Sequence, residues 1–240
     1  IIPAAYSKLN SSFNWGGASL LIETIEQMTD LKIDHYVEIN FVGFARMVDS
    51  LGGIEVCTKK DINDPKSHLV LPAGVHTLNG IDALKYVRTR EFDGLGDIGR
   101  MQRQQAFISS VVKKATSMGV LLNPITMTNF INSVLSAVTT DEGLNSSDMI
   151  VLAKQLKSLS ASNVRTLTVP LSDLYYNANG VTASVLWDPV LAPELWERLR
   201  EDRAVVDEVV PSPSPSSTKL EKPKIIDKFK TRTAQDNICR

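Results

Sequence analysis

Apolar positions along the chain change period several times, and each change marks an element. Leu20, Leu21, Ile25 and Met28 fall at helical spacing, so residues 18–28 are predicted as a helix ended by Thr29 and Asp30. Residues 1–16 read as a loop closed by Trp15, Gly16 and Gly17. Residues 36–41 alternate apolar and polar, the period of a strand. Phe44, Met47, Val48 and Leu51 return to one helical face, and the run 42–51 stops at Gly52-Gly53, a helix with a glycine C-terminus. Residues 54–57 are a short strand. The order strand, helix, strand points to an α/β layer.

Residues 58–76 contain Pro65 and Pro72 and read as irregular, with a short strand at 69–71. Asn79 is placed to cap a helix over 81–87. The longest helix is predicted at 97–118, with Met101, Ile108, Val112 and Ala115 on its core side and Gly119 at its end. Helices at 124–138 and 149–159 follow, the second capped within 145–148. Strands at 164–169 and 181–186 and a helix at 193–200 complete the pattern. Composition shifts after Val205. We therefore read 1–205 as one domain, 206–223 as an extended Pro/Ser linker and 224–240 as a tail. The lysine-rich run 219–232 reads as solvated.

Composition excludes some functions. Net charge is −1 over 240 residues, so no overall field draws the chain to nucleic acid. No run of 18 or more apolar residues is present to span a membrane. The two cysteines, Cys57 and Cys239, form no C-x-x-C pair, and His35, His68 and His76 are scattered, which argues against a zinc site. Two cysteines are either one disulfide or two unrelated thiols.

Charge is concentrated in residues 86–105. Arg88, Arg90, Arg100 and Arg103 lie around Gly94 and Gly96, and Asp97 opens the long helix. Guanidinium forks match phosphate oxygens in bidentate fashion, so two arginines before a turn and two after it can close on one pyrophosphate or phosphodiester. If 86–90 is extended, Arg88 and Arg90 point the same way; if it is helical, they diverge by about 200°. Extension is expected beside two glycines. Asp97, Arg100 and Gln104 share one helix face, and Arg100 sits near the positive end of the helix. Asp97 can hold N–H groups, orient an arginine or hold a metal. The alternative is a surface lattice in which Glu91, Asp93 and Asp97 neutralise the arginines.

The stretch Tyr86-Val87-Arg88-Thr89-Arg90 followed by Gly96-Asp97-Ile98-Gly99-Arg100-Met101-Gln102-Arg103-Gln104-Gln105 resembles the signature of LytR-CpsA-Psr proteins. Three other blocks are similar to that family. They are Lys8-Leu9-Asn10 with Gly16-Gly17; Ile33 to Val37 with Phe41-Val42-Gly43-Phe44 and Gly52-Gly53; and Leu71-Pro72-Ala73-Gly74 with Leu78-Asn79-Gly80. Together they cover about residues 6–118. Looser matches at 185–188 and 232–239 resemble the actinobacterial branch.

The resemblance implies an α/β/α fold, a mixed central sheet flanked by helices, N-terminally truncated. It implies an extracytoplasmic, membrane-anchored phosphotransferase of the cell envelope. Such an enzyme moves a phosphorylated glycopolymer, arabinogalactan- or teichoic-acid-like, from a polyprenyl-pyrophosphate carrier at the membrane surface to peptidoglycan. Arg88, Arg90, Asp97 and Arg100 would be catalytic; Lys8, Arg88, Arg90, Arg100, Arg103 and Gln104 would bind pyrophosphate. Mg²⁺ would assist, with ligands expected upstream of this chain and none within it, so that residues 1–240 alone would bind weakly and not turn over. It also implies a Cys57–Cys239 disulfide, worth about 4–5 kcal/mol in the loop-entropy account.

Alternatives are pyrophosphate hydrolysis, polyprenyl-pyrophosphate binding without transfer, and a regulator, since the family was named for transcriptional attenuation. The arginines cluster about a turn and lie along no groove-reading helix, which argues against DNA binding.

Overall fold

The computed structural model describes residues 7–90, 93–117, 124–144, 147–148, 151, 164–178, 181–208, 225–226 and 229–233. In chain order the elements are α1 (Ser11–Thr29), β1 (Val37–Ile39), α2 (Phe41–Ser50), β2 (Ile54–Thr58), β3 (Ile62–Asp64), β4 (Leu69–Leu71), β5 (Gly74–Leu78), α3 (Gly80–Arg88) and α4 (Gly96–Ser117). Then come α5 (Pro124–Leu135), β6 (Val138–Thr140), β7 (Arg165–Thr166), β8 (Leu171–Ala178), β9 (Val181–Trp187), α6 (Leu191–Arg200), β10 (Asp207–Glu208), β11 (Ile225–Ile226) and β12 (Arg232–Thr233). The class is mixed α/β, as expected. Among the described residues the strands pair two by two, every pair antiparallel.

The described residues gather into two compact units. One comprises residues 1–34 and 167–231, the other 35–166 and 232–240. In the first unit β8 and β9 form a hairpin with repeated register shifts. Those bulges explain why β8 escapes a reading by strict alternation: its apolar residues change face along the strand. α1 also begins earlier than expected, at Ser11, because two helical stretches join across a kink at Gly16 and Gly17. Near the linker expected from 206, β10 pairs with β11 across residues 209–224, which lie outside the described residues.

The second unit holds the main core. Val48 of α2, Ile54 and Val56 of β2, Ile62 of β3, Leu69 and Leu71 of β4, Leu78 of β5, Ala83, Tyr86 and Val87 of α3, and Phe107 of α4 form one buried cluster. The Phe44 and Phe107 rings meet at 5.3 Å, tilted by 33°. Each side chain of this size contributes about 1.5–3 kcal/mol on burial. The apolar spacing of α2 and α3 therefore has its cause here: both helices turn those residues into this cluster. Residues 58–76, read as mostly irregular, contain three strands in place of one. β2 pairs with β5 and β3 with β4, leaving tight turns that carry Pro65 and Pro72. The helix expected over 149–159 falls outside the described residues apart from Val151.

Val138, expected inside a helix, starts β6, and Val138-Thr139-Thr140 pairs with Val37-Glu38-Ile39. Three β-branched residues in a row lose rotamer freedom in a helix and pack well on a strand. Asp141 fastens the pair: its Oδ2 accepts the Tyr36 N–H at 2.6 Å, and its Oδ1 lies 3.4 Å from His35 Nδ1. The Tyr36 N–H, followed by His35 and the Gly143 N–H, holds the Asp141 carboxyl below its usual range against a smaller opposing effect of desolvation. A lowered folded pKa contributes stability above the unfolded pKa and loses it as pH falls through the folded one. Asp141→Asn should therefore melt earlier than the parent chain at pH 7, with the gap closing towards pH 3 in a series of thermal melts.

Cys57 of β2 is disulfide-bonded. Cys239, the partner that the resemblance implies, lies outside the described residues. β12, just before it, pairs with β7 of the same unit.

Candidate functional site

The arginine stretch runs from the end of α3 into α4, all within the second unit. α3 forms where expected. Asn79 caps it, its side chain accepting the Asp82 N–H at 2.9 Å, and Asp49 accepts the Gly80 N–H at 2.7 Å. The helix continues through Arg88, and extension starts only at Thr89, with φ −60° and ψ 137°. The expected extended 86–90 segment is thus corrected. Tyr86 and Val87 are core residues, and their burial keeps the last turn helical.

That change separates the first two arginines. Arg88 ends α3 and places its guanidinium 4.9 Å from the centre of the Phe41 ring. Arg90 lies beyond the helix and turns to α4, where its Nε is 3.0 Å from Asp97 Oδ1. Arg100 reaches the same oxygen at 3.3 Å. Asp97 therefore orients two arginines, one of the three roles open to it from sequence. Both guanidiniums converge on one exposed acceptor at the first turn of a 22-residue helix. The positive end of the helix adds to the field there. Arg100 Nε is buried with no hydrogen-bond partner among the described residues. An orphaned charged donor of this kind costs about 1–3 kcal/mol until an acceptor is supplied.

The turn between the helices requires glycine. Gly94 has φ 74° and Gly96 φ 53°, in the left-handed region. Asp93 starts this turn and accepts the Leu95 N–H. It also takes Arg103, whose Nη1 lies 2.6 Å from its Oδ2. Arg103, grouped with the phosphate ligands from sequence, is corrected to a different place: it is buried, donating to Asp93 and to the Thr89 carbonyl. Its position three residues after Arg100 turns it inward, under the site.

Gln104 donates to the Val87 carbonyl at 3.1 Å. It ties α4 to the last turn of α3. Lys8 belongs to the other unit and is exposed there. Glu91 lies outside the described residues. The surface lattice foreseen for the acids exists in part, through Asp93 and Asp97.

Sequence reading missed one residue that shapes the site. Asp64 is 1% exposed, and its Oδ1 accepts the N–H groups of Lys66 and Ser67 while its Oδ2 accepts that of Arg90 at 2.7 Å. Ser67 Oγ in turn lies 3.0 Å from Thr89 Oγ1, and Thr89 is fully buried. The β3–β4 turn thus grips the backbone that carries Arg90. A signal was present: Asp64 before Pro65, with main-chain N–H groups two and three residues on, is the pattern of an Asx turn.

The resemblance implies a magnesium ion whose ligands are expected upstream of this chain. Among the described residues no three His, Cys, Asp or Glu side chains come together as a metal site. Asp97 is engaged by two guanidiniums instead.

The chain is 37% identical over 194 residues to the probable cell wall biosynthesis protein LcpB of Corynebacterium glutamicum, covering 80% of this chain and 45% of that protein. It is 39% identical over 119 residues to the polyisoprenyl-teichoic acid–peptidoglycan teichoic acid transferase TagT of Bacillus subtilis, covering 47% of this chain and 36% of that one. The chain thus spans less than half the length of either curated relative. The crystal structure of B. subtilis TagV shares the fold, with a TM-score of 0.71 at 24% identity over 84% of this chain and 77% of that one. The LytR_cpsA_psr family model matches residues 3–188, from Lys8 through the arginine stretch to Asp188, and the chain belongs to that family.

Proposed function

We propose that the chain belongs to an envelope enzyme that transfers a phosphorylated glycopolymer from a polyprenyl-pyrophosphate carrier to peptidoglycan. One observation carries the reading: Arg90 and Arg100 converge on one carboxylate oxygen, with the Arg100 Nε left over. A pyrophosphate oxygen entering there would take Asp97's place on both guanidiniums and meet the orphan donor. Two relatives in the family are named for cell wall biosynthesis and for teichoic acid transfer to peptidoglycan, which supports the substrate class.

In this mechanism a sugar hydroxyl attacks the phosphorus nearest the glycopolymer. A new O–P bond forms, the bond to the bridging oxygen breaks, and polyprenyl phosphate leaves with the hydroxyl proton. Arg90 and Arg100 hold the charge spread over the transferring phosphoryl group. Asp97 keeps both arginines aligned before the carrier arrives, and Arg88 lies over the Phe41 ring. The reading locates the enzyme outside the cytoplasm, at the membrane surface where the carrier resides. No described helix is long and apolar enough to cross a membrane.

Calorimetric titration with geranylgeranyl pyrophosphate and its monophosphate tests the proposal. The pyrophosphate should bind about tenfold tighter or more, the worth of one additional charge-assisted contact. Equal affinities would overturn the reading. Product analysis with a lipid-linked glycan and peptidoglycan fragments separates transfer, which joins the two sugars through phosphate, from hydrolysis, which does not.

A further inference from the structure

The first unit contains a cavity of about 330 Å³ that the arginine chemistry does not use. Its walls come from the C-terminal end of α1, the segment after β9, and α6. Trp187 and Trp196 line it, with ring centres 5.3 Å apart in an edge-to-face arrangement. Both are half-buried. Met28, Asp30, Asp188 and Arg200 are also part of the lining, which includes further polar side chains of α1.

The wall is built rigidly. Arg200 donates to the carbonyls of Thr29 and Asp30 and pairs with Asp30 Oδ2 at 3.3 Å, closing the end of α1. Asp30 itself adopts φ 53°, an uncommon conformation for a residue with a side chain. Asp188 caps α6: its Oδ1 accepts the Val190 and Leu191 N–H groups at 2.9 and 2.8 Å. Those two donors hold its carboxyl below the usual range. Its Oδ2 accepts no hydrogen bond among the described residues, so one carboxylate oxygen of the lining is left for a ligand.

We propose that this cavity is a binding site for a neutral saccharide. Indole faces are electron-rich and attract the C–H face of a sugar ring, and adjoining carboxylates accept its hydroxyl protons. Two carboxylates face one guanidinium that is already engaged, a balance that disfavours a phosphorylated segment. A cavity with an aromatic wall and polar side chains beside it, at the low end of the usual volume of ligand sites, suits one or two sugar rings. Either the glycan strand of peptidoglycan or a neutral stretch of a wall polymer presents this chemistry. The inference stands on the first unit alone and does not depend on the phosphate reading.

The chain has three tryptophans, and only Trp187 and Trp196 line the cavity, which leaves Trp15 as an internal control. Indole N–H resonances should be followed by ¹⁵N NMR during titration with an N-acetylglucosamine tetramer and, separately, a neutral pentose–hexose oligosaccharide. Two of the three resonances should move saturably with at least one probe, and the better probe identifies the source. Trp196→Ala should weaken binding about tenfold, with Trp196→Phe intermediate. Asp188→Asn, which keeps the α6 cap, should weaken it in a chain that melts like the parent. Arg100→Ala should leave saccharide binding unchanged. Absence of saturable shifts with both probes, or equal affinity in the Trp196→Phe, Asp188→Asn and parent chains, overturns the proposal.

Discussion

Arg90→Ala and Arg100→Ala are each expected to weaken polyprenyl-pyrophosphate binding by about tenfold to a hundredfold, and Arg90→Ala to leave the melting temperature within about 2 °C. The magnitude follows from the loss of a charged hydrogen bond, about 1.5–3 kcal/mol, at a point where two guanidiniums meet one anion. The small effect on stability follows from exposure: Arg90 and Asp97 are 49% and 68% exposed, and such pairs contribute little to folding. Combining the two substitutions should cost less than the sum of the single effects, because both arginines act on the same oxygen. Asp97→Asn should also weaken binding, by leaving both arginines without their common partner in the free chain. Calorimetry on the four variants reads all of this directly. Affinities within twofold of the parent would make the cluster a surface ion-pair lattice and nothing more.

Asp64→Ala is expected to produce the opposite profile, a large loss of stability together with a loss of binding. The carboxylate is buried and accepts three main-chain N–H groups, from Lys66, Ser67 and Arg90. Removing it takes this acceptor from all three, a cost of about 3–5 kcal/mol. For a chain of this size that corresponds to a melting point lower by roughly 10 °C. Pyrophosphate affinity should fall as well, since Arg90 is no longer held where its side chain meets Asp97. Asp64→Asn retains an acceptor but sets an NH₂ against one N–H group, so it should fall between Ala and the parent in both measurements. A melting point unchanged in Asp64→Ala would show that the β3–β4 turn does not brace the site.

Much of the frame around the site was legible from local pattern. The glycine-ended α2, the Asn79 cap of α3 and the long α4 each follow from residues within a turn or two of one another. The arginine cluster and the two glycines of its turn were visible in the same way. Less legible was β8, whose bulges break the alternation that reveals a strand. β6 was hidden because an apolar helical pattern runs into Val138, and its pairing with β1 decides the outcome. Residue type and proximity alone group Arg103 with the anion ligands, whereas its burial against Asp93 and Thr89 depends on how α4 sits on the end of α3.

The sequence by itself determined the class of the fold, the helices that frame the arginines, the charge available to an anion and the family to which the chain belongs. These rest on periodicity, caps and motifs, which are properties of neighbours along the chain. Only the tertiary structure decided what each arginine does. Arg90 and Arg100 share Asp97, Arg88 stacks on Phe41, and Arg103 lies beneath the turn as a brace. It also brought in Asp64, 26 residues before Arg90, whose role rests on a buried carboxylate meeting a backbone N–H from another element. Direction, burial and long-range hydrogen bonds are set by packing, and packing joins residues that the chain order keeps apart.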